Sequence, residues 1–142
     1  IHRDGLFRGN EVEILEDHLQ SIGAEGFFVE IIKSGAPRLY GKRYQTIEAP
    51  DIGTALMLSE TEAFLVASSS STATPQPLHI RTRAPFTIGK ALHSALMLTL
   101  MHYGSLRRPK LPITIHYSDK IGYLALRGVK PMGGVSNEMY WL

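Results

Sequence analysis

Apolar side chains recur with the period of an α-helix between residues 10 and 22. The residues of this apolar face are Val12, Leu15, Leu19 and Ile22. Such spacing predicts an amphipathic helix that buries one side. Asn10, followed three positions later by Glu13, has the form of a capping box at its start, and Gly23 suits the left-handed position after its end.

Two more helices are predicted in the second half of the chain. The first covers residues 87–103, with leucines at positions 92, 96 and 100 in one row and Gly104 as its stop. We expect Met97 and Met101 within it to fill the core. The second covers residues 112–127 and stops at Gly128, after a basic turn at residues 107–110.

Short apolar and β-branched runs predict strands at residues 27–32, 54–59, 63–67 and 78–83. The first run is almost continuously apolar, which favours a strand covered on both faces. Only three residues separate the second run from the third, so we expect a hairpin there. Serines, threonines and prolines dominate residues 68–77, which indicates an exposed loop. The sequence therefore predicts a mixed α/β fold.

The composition fits a single globular unit over residues 1–142, with 44% hydrophobic and 20% charged residues. The chain has no cysteine, which excludes disulfides, thiolate zinc sites and a cysteine nucleophile, and fits a cytoplasmic protein. Its longest apolar run is too short for a membrane span. The net charge of +2 is too small to indicate nucleic-acid binding by itself. Since the first residue is Ile1, we expect a fragment of a larger protein.

Five segments, in order along the chain, resemble the Argonaute and Piwi family. The first is His2-Arg3-Asp4-Gly5, followed by Gly9-Asn10 and an amphipathic helix. The others are Lys-Ser-Gly-Ala-Pro-Arg-Leu-Tyr at 33–40, Thr-Pro-Gln-Pro-Leu at 74–78, Leu-Pro-Ile-Thr-Ile-His-Tyr-Ser-Asp at 111–119 and Tyr-Trp-Leu at 140–142. The chain is thus similar to the C-terminal half of a prokaryotic-type Piwi domain.

The resemblance implies a ribonuclease H-like fold, with a mixed sheet flanked by helices and without the first core strands. It implies a metal-dependent endonuclease that binds a guide strand and cuts a complementary target. The partners would be the guide and target nucleic acids and the remaining Argonaute domains of the parent chain, with no membrane. The first aspartate and the glutamate of the family's catalytic tetrad have no counterpart here, so the isolated fragment is expected to be inactive.

The resemblance also implies the site residues. Asp4 and Asp119 match catalytic, metal-binding aspartates, whereas Lys33 and Arg38 match basic residues that approach the nucleic-acid backbone. The main-chain carboxylate of Leu142 would help bind the guide 5′ phosphate through a metal ion. Two divalent ions about 3.5 to 4 Å apart can stabilise the attacking water, the phosphate and the leaving oxygen. Carboxylates suit Mg²⁺ or Mn²⁺, the cofactors we expect.

Plainer interpretations stand beside these. Asp4 before a glycine is a common turn pair, and Asp119 near a helix start can complement the helix dipole. His116 lies three residues before Asp119, where a metal or proton-transfer role and a structural role both remain open. Basic clusters are most often solvated. The chain is also compatible with an Argonaute piece that binds guide and target without cutting, or with a generic interaction domain.

Overall fold

A five-stranded mixed sheet and three helices make up the described part of the chain. The computed structural model describes residues 1–69, 74, 76–102 and 110–129. In chain order the elements are β1 (His2–Asp4), α1 (Glu11–Ser21), β2 (Val29–Ile32), β3 (Gly41–Arg43), β4 (Thr46–Glu48), β5 (Ala55–Met57), β6 (Glu62–Leu65), β7 (Leu78–Thr82), α2 (Ile88–Leu100) and α3 (Ile113–Leu126). The prediction of a mixed α/β fold is confirmed.

The order of strands in the sheet is β1-β2-β7-β6-β5. β1 and β2 run parallel, joined by the α1 crossover, and the other pairs are antiparallel. The predicted hairpin is confirmed, since β5 pairs with β6 from Ala55 opposite Leu65 to Met57 opposite Ala63. Because β1 and β2 are parallel, their C-terminal ends meet at the same edge of the sheet.

The two faces of the sheet differ sharply in chemistry. On one face Ile31 of β2 lies opposite Ile80 of β7, which lies opposite Ala63 of β6, and all three are fully buried. Side chains alternate along each strand, so the next position faces the other way. There Glu30, Arg81 and Glu62 stand opposite one another across the same strands. The first face is apolar and the second is charged.

Helices α2 and α3 cover the apolar face. The buried residues of α2 are Ile88, Ala91, Ala95 and Thr99. The first three join the core cluster together with Ile115 of α3. Leu100 is 51% exposed, so the predicted leucine row is not the buried row of this helix. The buried row consists mainly of small side chains, because these let α2 approach the sheet closely. The expectation that Met97 and Met101 fill the core is wrong, since both are exposed.

The ends of α1 agree with the sequence prediction only in part. Gly23 has φ +67°, and its N–H donates to the carbonyl of Gln20, as expected after a helix C-terminus. The Asn10 side chain, however, makes no capping hydrogen bond. Glu11 Oε2 accepts the N–H of Arg8 at 3.0 Å, which connects the preceding loop to the first turn of the helix. No residue of α1 is buried among the described residues.

The structure adds three strands that the hydrophobic pattern does not predict. β3 and β4 form a separate two-stranded hairpin whose residues are almost all exposed. β1 is only three residues long, and its burial is intermediate throughout.

The third helix ends as predicted, since Gly128 has φ +82°. Within the described ranges no helix is both long and apolar enough to cross a membrane.

Candidate metal centre and its supporting contacts

The two aspartates singled out from the sequence lie close together at one edge of the sheet. Asp4 ends β1 on the helix-covered face, opposite Ile31 of β2. Asp119 lies on α3, in its second turn. Both carboxylates contact the ammonium group of Lys33, which follows β2 directly: Nζ lies 2.7 Å from Oδ2 of Asp4 and 3.0 Å from Oδ1 of Asp119.

Lys33 is therefore an intramolecular cation held between two negative charges. Burial alone would lower the pKa of its ammonium, but the hydrogen bonds and charges of Asp4 and Asp119 outweigh burial and raise the pKa above 10.5. All three side chains are partly exposed, so solvent reaches the cluster. A site that already binds one positive charge between two carboxylates has the electrostatics that a metal ion needs.

The donor atoms fit a hard divalent ion, but incompletely. Asp4 and Asp119 offer carboxylate oxygens, the ligands that Mg²⁺ and Mn²⁺ prefer. In the described part of the chain, no group of three or more histidine, cysteine or acidic side chains is placed to hold a metal. Further ligands would have to come from elsewhere, with water and phosphate oxygens as natural candidates.

Of the other predicted site residues, Arg38 is described, and it is not brought to this cluster. Arg38 is exposed in the loop after β2 and makes no ion pair with a described residue. Lys42 and Arg43 are exposed on β3. Leu142 and most of the basic turn at residues 107–110 lie outside the described residues, so the predicted role of the Leu142 carboxylate stays a prediction.

His116, one turn before Asp119 on α3, lies in a small aromatic cluster. Its ring makes an edge-to-face contact with the ring of His102, with centroids 4.7 Å apart, and His102 stacks on Tyr117. Burial, followed by the neighbouring charges of His102 and Lys120, lowers the pKa of His116 below 6.5, although Asp119 opposes the shift. A neutral His116 packs these rings without adding positive charge beside Asp119.

His2, which the sequence did not single out, connects β1 to both helices on the apolar face. Its Nε2 lies 3.1 Å from the hydroxyl of Ser94 on α2, and its Nδ1 lies 3.0 Å from the hydroxyl of Thr114 on α3. Burial lowers the pKa of His2, so the imidazole is neutral at neutral pH. The available signal was its position two residues before Asp4, on the same face of the strand.

Arg3 holds Asp4 from the other face of β1. Its Nη1 donates to the backbone carbonyl of Asp4, and its Nε donates to Oε2 of Glu11 at 3.2 Å. The Arg3 guanidinium, the Arg8 N–H and Arg8's charge lower the pKa of Glu11. Arg3 thus connects the main chain at Asp4 to α1. The side chain of Asp4 contacts Lys33 on the opposite, helix-covered face.

Sequence comparison extends over the whole chain. The chain is 34% identical over 144 aligned residues to the protein argonaute of Aquifex aeolicus strain VF5. This alignment covers 100% of the chain and 20% of that relative. The chain is an Argonaute homologue. It spans about a fifth of the length of the relative that it matches, and no protein-family model matches it.

Structural comparison gives the same family. The Argonaute of Clostridium butyricum, solved with a guide DNA and a 19-mer target DNA, superposes with a TM-score of 0.84 at 28% identity, over 100% of this chain and 19% of that one. The Aquifex aeolicus Argonaute with externally bound siRNA gives 0.79 at 34% identity, over 99% and 20%. The Marinitoga piezophila Argonaute, at 18% identity and a TM-score of 0.61, shares the fold. The predicted Argonaute fold is therefore confirmed.

Proposed function

We propose that the protein containing this chain holds a guide strand, pairs it with a complementary target and cleaves the target in a reaction that requires a divalent metal. The observation that carries this proposal is the convergence of Asp4 and Asp119 on one cation, at 2.7 Å and 3.0 Å from Lys33 Nζ. The similarity to an Argonaute solved with guide and target DNA supports the choice of partners.

Each candidate site residue of this chain has a role in this proposal. Asp4 and Asp119 hold Mg²⁺ or Mn²⁺, together with ligands from the remaining domains of the protein. A bound divalent ion stabilises charge on the phosphate and increases the acidity of a coordinated water. Lys33 and Arg38 neutralise backbone phosphates, and the Leu142 carboxylate helps seat the guide 5′ end through a metal. The absence of cysteine fits the cytoplasm, where we place this activity.

The decisive test replaces each aspartate by its amide in the full protein. Asp4→Asn and Asp119→Asn keep the size of the side chain but remove the charge that binds metal. Since metal assistance is worth several kcal/mol, each substitution should slow single-turnover target cleavage by at least about 100-fold. Guide affinity, measured by filter binding, should change little because the backbone contacts remain.

A matched control is Glu60→Gln, at an exposed acid in the β5–β6 turn that touches neither aspartate. It should leave cleavage unchanged. Cleavage retained by either aspartate variant would overturn the assignment of these residues.

A second function, guide and target binding without cleavage, is favoured by one observation. Lys33 already pairs with both carboxylates, as in a structural ion pair. In that case Lys33→Met would leave two unpaired carboxylates and lower stability, and added Mg²⁺ would not restore it. If the site binds metal, Mg²⁺ should restore the thermal midpoint of the Lys33→Met protein.

Arg38 offers a test of nucleic-acid contact alone. Arg38→Ala should weaken binding of guide or target roughly equally for different sequences, because a phosphate contact carries no base information. The slope of log affinity against log salt should fall by about 1. Glu48→Gln, at an exposed position of β4, is a comparison for changes in charge on the same segment. An unchanged slope in Arg38→Ala would remove Arg38 from the interface.

A further inference from the structure

His2 is a polar side chain that bridges three elements beside the aspartate pair. It lies on β1, two positions before Asp4 and therefore on the same face. Its two ring nitrogens contact Ser94 of α2 and Thr114 of α3, at 3.1 Å and 3.0 Å. In a neutral imidazole one nitrogen donates and the other accepts, and hydroxyls can do either, so both contacts are satisfied in either tautomer.

The contact with Thr114 orients the first turn of α3, which has no side-chain cap of its own. Thr114 lies in the first turn of α3, and Pro112 at the N-cap provides no side-chain cap. Ile115, which is 1% exposed, anchors this turn to the core, but an apolar contact does not define how the helix is rotated. The hydrogen bond from His2 supplies direction, because it weakens steeply when the donor angle changes.

β1 and α3 are connected at two points. His2 meets Thr114 at one point, and Asp4 meets Asp119 through Lys33 at the other. Asp119 lies five residues after Thr114, a rise of about 7.5 Å along the helix. Two carboxylates repel each other, so without a fixed helix they would separate whenever the cation between them is exchanged.

We propose that His2, through Thr114 and Ser94, is a positioning residue that sets the distance between Asp4 and Asp119 and thereby the affinity of the site for a divalent ion. This inference rests on the proposed function, since it takes the two aspartates as metal ligands. His2 itself is not a ligand. It acts as the supporting shell of a metal site acts, by orienting the groups that bind.

The test compares hydroxyl-removing with hydroxyl-keeping variants in the full protein. Thr114→Val and Ser94→Ala each remove one contact, whereas Thr114→Ser and Ser94→Thr keep the hydroxyl. Mn²⁺ affinity is measured by electron paramagnetic resonance, with guide and a target that resists hydrolysis, and the signal of the Asp4→Asn, Asp119→Asn double variant is subtracted as background.

We expect Thr114→Val to weaken Mn²⁺ binding by about 10-fold, the range typical of supporting residues around a metal. His2→Ala should have an equal or larger effect, and adding Thr114→Val to it should cause no further loss, because the two residues act as one unit. Thr114→Ser should retain wild-type affinity. In cleavage assays the loss should appear in the single-turnover rate at fixed Mn²⁺, with target affinity unchanged, and higher Mn²⁺ should restore the rate.

Two controls separate positioning from general stability. Ile80→Val removes one methylene from a fully buried side chain of β7, two strands away from β1, and removes no polar contact, so it should lower the thermal midpoint without changing Mn²⁺ affinity. Ser21→Ala removes a hydroxyl that donates to the carbonyl of His18 in α1, and should change neither quantity.

The outcomes are distinct. If Thr114→Val and His2→Ala bind Mn²⁺ as the wild type does, while the aspartate variants lose it, the positioning role is overturned and the proposed function stands. The role is also overturned if Ile80→Val weakens Mn²⁺ binding equally, since the effect then reports stability. If the aspartate variants bind Mn²⁺ normally, the proposed metal site and the role of His2 are both overturned.

Discussion

The two faces of the central sheet use the same strands but are stabilised in different ways. The helix-covered face presents Ile31, Ile80 and Ala63, which are completely buried, and the aspartate pair lies at its edge. On the other face the strands carry a charged row across the sheet: Glu30, Arg81 and Glu62. Salt does not weaken apolar burial by screening, whereas it screens partly exposed ion pairs. The comparison teaches that apolar burial on the helix-covered face contributes most of the stability, and that the charged row on the other face contributes less.

The largest expected effect is on the apolar face. Ile80→Ala removes a fully buried side chain in the central strand β7, so it leaves a cavity between the sheet and the helices. Substitutions of this kind cost about 2 to 5 kcal/mol. Native-state hydrogen exchange of the β7 amides in the full protein measures the loss as a lower free energy of opening. Ile47→Ala, at a position that is 71% exposed, should cost under about 0.5 kcal/mol.

A smaller loss is expected from Glu30 on the charged face. Its Oε1 accepts the N–H of Phe7 at 2.8 Å, and its carboxylate lies 3.7 Å from Arg81 Nε. Glu30→Met leaves that N–H unpaired in a nearly buried position, which costs about 1 to 3 kcal/mol. Glu30→Gln keeps an oxygen acceptor and should recover most of the loss in the same exchange experiment. An equal loss in both variants would show that charge, rather than the hydrogen bond, makes Glu30 stabilising.

The smallest expected effect is at Glu62. This carboxylate contacts Arg81 Nε at 2.9 Å and His79 Nε2 at 3.2 Å, but it is partly exposed. Glu62→Gln should therefore cost under about 1 kcal/mol, and 1 M salt should abolish most of the difference. The cost of Ile80→Ala should persist in the same salt. A large, salt-resistant cost for Glu62→Gln would contradict the division between the two faces.

Much of the fold follows from local patterns. The β5–β6 hairpin and the strand at β7 were predicted by short apolar runs, and Gly23 and Gly128 both adopt the positive φ that a helix terminus requires. These signals depend on neighbouring residues alone, which is why they could be identified without the tertiary structure.

The missed features depend on tertiary contacts. Leu92, Leu96 and Leu100 form the stronger hydrophobic row of α2, yet Ala91, Ala95 and Thr99 are buried, because the close approach of the sheet selects small side chains. β3 and β4 lack the apolar alternation that predicts a strand, because almost all residues of their hairpin are exposed.

The candidate site was predicted by resemblance rather than by chemistry. Asp4 and Asp119 are unremarkable as isolated acids, and only the folded chain brings both to Lys33. Lys33 itself was expected to face phosphate, and its pairing with both acids could not be derived from spacing. The role of His2 was accessible in principle, because alternation along β1 places it beside Asp4, but its partners lie on two distant helices.

The position of β1 at the margin of the sheet has one more consequence. Among the described residues β1 pairs with β2 alone, so its outer side offers main-chain N–H and C=O groups to a further strand. A strand added there would run about 4.8 Å away and present its own side chains alongside His2 and Asp4. Any polypeptide segment that docks by such β-augmentation lies directly beside Asp4, whatever its distance along the chain.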